Sequence, residues 1–583
     1  MSRSRQALLD SIPAHLRQFV ATQHYQHYSP QDHAVWRFLM HQLAARLRDT
    51  AHPVYREGLL RTGISLEHIP SMEEMNDKLA AIGWRAVVVD GVIPSAIFME
   101  FQARRILPIA RDMRDISHML YTPAPDIVHE AAGHAPFIVD TDYTEFLQRF
   151  GEVGMKALST QADIDVFHAV RQLSILKESR DSSAAQIAEA EARLRDCHAN
   201  NPFNSEAALL ARLHWWTVEY GLVGEVDNYR LFGAGLLSSL GESINCLDDV
   251  RVPKRMLSLE AINTAYDITR EQPQLFVTRS CQHLCQVLEA YARRMAFAVG
   301  GASSLRKAID CASVATAELS SGLQISGVVD SLIVDAAGNE SYLRCRGPTQ
   351  LAYRGRELPG QGIAQHPEGF GAPLGQVQDM PRCLSDYTVD ELKGLGIAVG
   401  KAVALDFVSG VKLRGELREI VRRDRRNLIF RFSACRVSGA DGECLFAPEW
   451  GDYDMAIGES VVSVYGGSAD LDRFPIYRHH LPDDSLPERE GSAAQQRLMA
   501  LYGRLRELRE SGGAKLSQLL ELREALAEHP DEWLIRFELL ELLPCSDGAY
   551  APLLAELKAL GKSSAERRRL VDMAVQSLEM SQH

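Results

Sequence analysis

Two histidines five residues apart, in His129-Glu130-Ala131-Ala132-Gly133-His134, constrain the backbone more tightly than any other feature of this chain. On a regular helix of about 3.6 residues per turn, a spacing of four puts two imidazoles on one face, whereas five steps set them roughly 140° apart. For both to reach one metal ion the backbone must change course between them. Gly133 is placed to end a helix there, and Pro136 fits a helix already finished. A third ligand is expected from Trp215-Trp216-Thr217-Val218-Glu219-Tyr220. Glu219 sits among apolar and aromatic residues on a predicted helix, where an ionised carboxylate is costly unless a cation compensates it. Two histidines and one carboxylate leave one face of an octahedral ion open, the arrangement used for oxygen chemistry at non-haem Fe(II).

Around this constellation the chain changes texture twice. Up to about residue 300 helical periodicity dominates: His33 to Leu47 places Trp36, Leu39, Met40, Leu43 and Leu47 at spacings of three and four. Ser71 precedes two acids and reads as a helix cap, and Trp84 to Ile93 is a β-branched strand stopped at Asp90-Gly91. Between Asp163 and Asn201, Val166, Phe167, Val170 and Leu173, a Ser-rich turn at Arg180 to Ser183, then Ile187, Ala190 and Leu194 predict an inserted helical hairpin. From Leu323 to Tyr477, alternating β-branched runs and Gly turns predict a small antiparallel sheet or barrel, with Arg422 to Arg426 as a solvated hairpin tip and Gly360 to Gly375 as an irregular loop. Pro482 to Ser492 reads as a linker. Beyond it, amphipathic leucines divided by Pro530, Pro544 and Gly561 predict about four short helices, which serve oligomerisation, docking or packing within the chain.

Composition closes off other classes. A net charge of −14, from 63 Lys and Arg against 77 Asp and Glu, argues against nucleic-acid or anionic-membrane partners. No run of roughly 20 apolar residues is present, and the start has two arginines without the apolar core of a secretory signal. Ten scattered cysteines suit a reducing cytoplasm. Cys281 and Cys285 share one predicted helix face with no second pair to complete a zinc site.

Several longer motifs stand in one order: Pro53 to Leu59 (PVYREGL), Gly83 to Pro94 (GWRAVVVDGVIP), Tyr121-Thr122-Pro123-Ala124-Pro125-Asp126, the His129 to His134 segment, WTVEYGL, FGAGLLSSLGE ending at Glu242, and YDITREQPQLFV. Over about residues 25 to 300 the chain resembles the pterin-dependent aromatic amino acid hydroxylases, especially the bacterial phenylalanine 4-hydroxylase type. The resemblance implies a mainly α catalytic domain over 1–310, followed here by a β-rich domain over 320–480 and a helical region over 490–583. It implies ring hydroxylation of a free aromatic L-amino acid with Fe(II), O2 and a tetrahydropterin, either tetrahydrobiopterin or a bacterial relative. His129, His134 and Glu219 match the family's iron ligands. Arg114 matches the arginine that grips the substrate carboxylate, and Asp126 the acid that orients it. Thr122, Trp215 and Ser238 fall on substrate positions, Ser238 also supporting an iron histidine. Phe98 matches the aromatic that stacks on the pterin, Gly91 and Ile93 its backbone partners, and Glu130 an acid near pterin and iron-bound water. Ala124 departs from the usual Glu, and Pro108 and His214 replace other pterin-facing side chains, so pterin and ring preference stay open. The same chemistry at a different ring position or on a modified aromatic, or a non-catalytic iron- or ligand-binding sensor, are the alternatives.

Overall fold

The computed structural model describes residues 3–120, 125–178, 182–201, 203–268, 270–477 and 492–580. The helix Pro30–Arg46 begins with a capping box between Ser29 and Asp32, with Pro30 at its first position. Its expected face is buried, and so are Arg37 and Phe38 on other faces. Those residues are covered by chain from the far end of the sequence: Trp533 and Phe537 meet the Phe38 ring edge-on at 5.2 and 5.3 Å. Ser71 does precede a helix, Met72–Leu79, but its side chain makes no cap hydrogen bond. The Met72 amide donates instead to Gln23 Oε1.

Strands Arg85–Val89 and Ile106–Ala110 pair in parallel with Val87 opposite Pro108, and the helix Ser95–Ala103 makes the crossover. The loop between strand and helix carries Gly91 in the left-handed region at φ +59, open to residues without a Cβ penalty only. The hairpin is formed by helices Gln161–Glu178 and Ala184–Ala199, sharing a small core of Ala169, Leu173, Ala190 and Leu194. Arg180 and Asp181 of its turn lie outside the described residues, whereas Ser183 caps the second helix.

The β-rich stretch forms two antiparallel sheets, one of six strands and one of five, rather than a single sheet or barrel. Each has its own apolar cluster, because each sheet must bury one face. Within the expected loop, Gly369–Pro373 is a strand paired with Glu340–Tyr353. Glycine content disguised it: a Cβ on Gly371 would lie 2.4 Å from the Tyr342 hydroxyl, so the strand fits only without side chains there. Arg423 and Arg426 do flank an exposed two-residue turn, Asp424-Arg425, both at positive φ.

After the predicted linker, most of which lies outside the described residues, the described residues form five α-helices rather than about four: Ala493–Ser511, Leu516–Ala525, Trp533–Leu542, Tyr550–Leu560 and Ala565–Met580. Gly512 in the left-handed region supplies the extra boundary. Leu498, Leu501, Tyr502 and Leu505 join the same core as residues 21–295, so this apolar face is covered within the chain. No described helix is long and apolar enough to cross a membrane.

Candidate metal centre

Between Val128 and His134 the chain winds as a π-helix. Hydrogen bonds from i to i+5 widen the turn and bring residues five apart toward one face, so His129 and His134 converge without a break in the helix. The expected helix end at Gly133 is corrected accordingly: the path continues into a 3-10 turn, Ala135–Val139, with Pro136 in its first positions. Gly133 serves close approach, since a Cβ there would sit 2.8 Å from the Ala234 carbonyl oxygen. Ala234 opens the short helix that carries Ser238. Glu219 ends a second π segment, Trp215–Glu219.

The three side chains meet. Nε2 of His129 lies 3.2 Å from Nε2 of His134 and 3.1 Å from Glu219 Oε2, and Nε2 of His134 lies 3.4 Å from Glu219 Oε1. An ion about 2.1 Å from donors at right angles asks for donor separations near ~3.0 Å. The donor set therefore fits one octahedral divalent ion. Among the described residues no other group of three His, Cys, Asp or Glu converges in this way, and Cys281 and Cys285 are free on one helix.

The Ser238 hydroxyl donates to the Ala234 carbonyl at 2.8 Å and stands 3.0 Å from His129 Nδ1. Its single proton being used, it accepts from Nδ1–H, which leaves Nε2 as the nitrogen that can bind a metal ion. Burial opposes ionisation of Glu219, yet His134 and His129 hold its carboxyl well below the usual range. Glu130 is the opposite case, pushed up to about 8 by burial, with Oε2 lacking a hydrogen-bond partner among the described residues and 4.0 Å from His134 Nε2. Asp126 is fully buried. Burial again works against its charge, and Arg114 outweighs it, through bonds of 2.7 Å from Nε and 2.8 Å from Nη2, while Arg114 Nη1 donates to the Ser238 carbonyl. Asp126 also accepts from the His129 amide, tying the arginine to the first ligand.

A cavity of about 500 Å³ opens onto these groups. His129, Glu130, Glu219, Arg114 and Ser238 line it, and so do Gly91, Ile93, Phe98 and Pro108. Trp215 lines it too, stacked on Tyr266 at 4.4 Å with its Nε1 donating to Gln272. Thr122 and Ala124 lie outside the described residues. His214 stands 3.6 Å from Glu219 Oε1, edge-on to Phe98 and Phe150, and burial lowers it to about 4. Sequence reasoning gave no role to Glu242, although it closes the FGAGLLSSLGE motif. Glu242 accepts from the Tyr220 hydroxyl and the Gln272 amide, bracing the aromatic wall, and burial raises it to about 7.

A family model described as biopterin-dependent aromatic amino acid hydroxylase matches residues 3–174 and 201–300. Phenylalanine-4-hydroxylase of Chromobacterium violaceum is 30% identical over 268 residues, covering 46% of this chain and 75% of that protein. The Pseudomonas aeruginosa phenylalanine-4-hydroxylase is 30% identical over 264 residues, covering 45% and 84%. A crystal structure of the Chromobacterium violaceum enzyme with bound iron(III) and oxidized cofactor 7,8-dihydrobiopterin matches with a TM-score of 0.38 at 26% identity, covering 50% of this chain and 92% of that one. The chain belongs to the biopterin-dependent aromatic amino acid hydroxylase family. It is an enzyme of the pterin-dependent aromatic amino acid hydroxylase class, and the unmatched residues 175–200 fall within the hairpin.

Proposed function

We propose that this chain hydroxylates the ring of a free aromatic L-amino acid, phenylalanine to tyrosine by default, using Fe(II), O2 and a tetrahydropterin. The observation that carries this is the convergence of His129, His134 and Glu219 at one end of a cavity that also receives Arg114. His129, His134 and Glu219 would hold the iron. Iron and tetrahydropterin, when bound, supply the activation of dioxygen that ring hydroxylation needs. Arg114, held in place by Asp126, offers its guanidinium to the substrate carboxylate, which fixes the ring relative to the metal ligands. Trp215 and Ser238 flank that ring, and Thr122, outside the described residues, is assigned there by the resemblance alone; Phe98, Gly91 and Ile93 receive the pterin, and Glu130, whose carboxyl burial pushes up to about 8, lines the same cavity. Apolar walls exclude water from the reacting groups.

We also propose the division into a catalytic domain over 1–310, a β-rich domain over 320–480 and a helical region over 490–583, whose described helices share the core of residues 21–295. The ten free cysteines suit the cytoplasm. The test is pterin-dependent oxygen uptake by the iron-loaded protein with Phe, Tyr, Trp and amino-substituted Phe, with the product identified by mass and ring position. Uptake with Phe and formation of tyrosine is expected. Preference for another of the four moves the substrate assignment, and no uptake with any of them removes the catalytic one in favour of a ligand-binding role.

A further inference from the structure

The hairpin helix Gln161–Glu178 has two working faces. Ala169 and Leu173 pack against its partner helix, while Ile164, Phe167, His168, Arg171 and Ser174, recurring at three and four, line the cavity of the metal centre. This stripe shares the cavity with Gly91, Ile93 and Phe98, the residues assigned above to the pterin, and Arg171 on it lies 3.8 Å from Asp90, the neighbour of Gly91.

Arg171 is the unsettled group on it. Asp90, one residue before Gly91, is held by Arg111 at 2.7 Å, whereas Arg171 Nη2 lies 3.8 Å from the same carboxylate, beyond hydrogen-bond reach. Arg171 Nε is buried and has no hydrogen-bond partner among the described residues. A guanidinium carries five donors, and leaving a buried one unmet is costly. Arg171 lines the cavity, from which a bound molecule can offer it an acceptor. Ile476 and Tyr477, from the segment after the strand Val461–Gly466, also line it, so the cavity that Arg171 lines is bounded in part by chain outside the family match.

We propose that Arg171 is a specificity-determining residue, recognising a hydrogen-bond acceptor group carried on the pterin's substituent beyond its ring. The inference rests on the pterin assignment made above and extends it to the kind of pterin. Arg171 forms no part of the metal or substrate machinery, so its effect falls on pterin affinity alone.

Dissociation constants for three 7,8-dihydropterins, bearing 6-methyl, 6-dihydroxypropyl or 6-carboxyl substituents, measured by calorimetry on iron-loaded protein, test this without turnover. Arg171→Gln is expected to weaken the dihydroxypropyl and carboxyl forms roughly tenfold or more, and to leave the 6-methyl form and phenylalanine unchanged. Arg171→Lys, which keeps the charge but loses the fork, should recover part of the carboxyl affinity. The carboxyl form losing more than the dihydroxypropyl form would mark an anionic substituent, and the reverse a polyol. Equal losses on all three pterins, or none, overturn the inference while the pterin assignment survives. Failure of the wild-type chain to bind any of the three overturns both.

Discussion

Ser238 shows how much one hydroxyl decides. By giving its proton to Ala234 and accepting from His129, it fixes which imidazole nitrogen is free for metal. Ser238→Ala should lower iron affinity by about 10- to 100-fold, measured as iron retained after dialysis against a graded chelator; unchanged retention would remove the serine from that role. Asp126 and Arg114 make a sharper case, since both are buried and each compensates the other. Asp126→Asn leaves a buried guanidinium short of its counter-charge and should cost roughly 3–5 kcal/mol in denaturant unfolding. A cost near zero would mean that water reaches the pair. The candidate ligands were legible in sequence because a buried carboxylate and paired histidines are chemically conspicuous. Glu242 was not, because its partners, Tyr220 and the Gln272 amide, are brought to it by folding.

At the scale of elements, the spacing of five correctly demanded an unusual backbone, and the wrong device was inferred. A Gly before a His reads as a helix end by local propensity. In the fold Gly133 instead lies within the π-helix, packed so closely on Ala234 that a Cβ would clash. Gly133→Ala should therefore cost about 1–3 kcal/mol by overpacking and reduce iron affinity as the ligands are pushed off register; full stability and full iron content together would refute the close-contact argument. The C-terminal helices offer a second test. Trp533 is buried against Phe38, and Trp533→Ala should destabilise the chain by roughly 3–5 kcal/mol, read from thermal and denaturant unfolding of the full chain. A small loss would mean that these helices contribute little to the shared core. Their amphipathic pattern was plain, but periodicity says only that a face is buried, not which partner buries it.

Across the whole molecule, distant segments converge on the cavity. His15 hydrogen-bonds Glu100, on the helix that carries Phe98, and Asp472, five residues before Tyr477. Burial opposes protonation of His15, but the two carboxylates prevail and raise it above its ordinary 6.5. Its contribution to stability is thus complete below that value and fades as pH rises through the higher folded pKa. Glu100, with Arg104 also beside it, is shifted down despite burial, so its share is present above 4.5 and is lost as pH falls through the lower folded value. Between about pH 6 and 9 the melting temperature should fall more steeply in the wild type than in His15→Gln; equal slopes would separate the triad from the stability of this junction. Sequence alone determined the chemistry on offer: which side chains could bind a metal, pair with a carboxylate or end a strand, since these follow from residue type and short spacing. Only the tertiary structure decided that the helix winds as π, that the β-rich stretch splits into two sheets, and that residues 164–174 and 476–477 wall the same cavity. Those outcomes depend on contacts between segments up to hundreds of residues apart, where the free energy of packing, not local preference, selects the backbone.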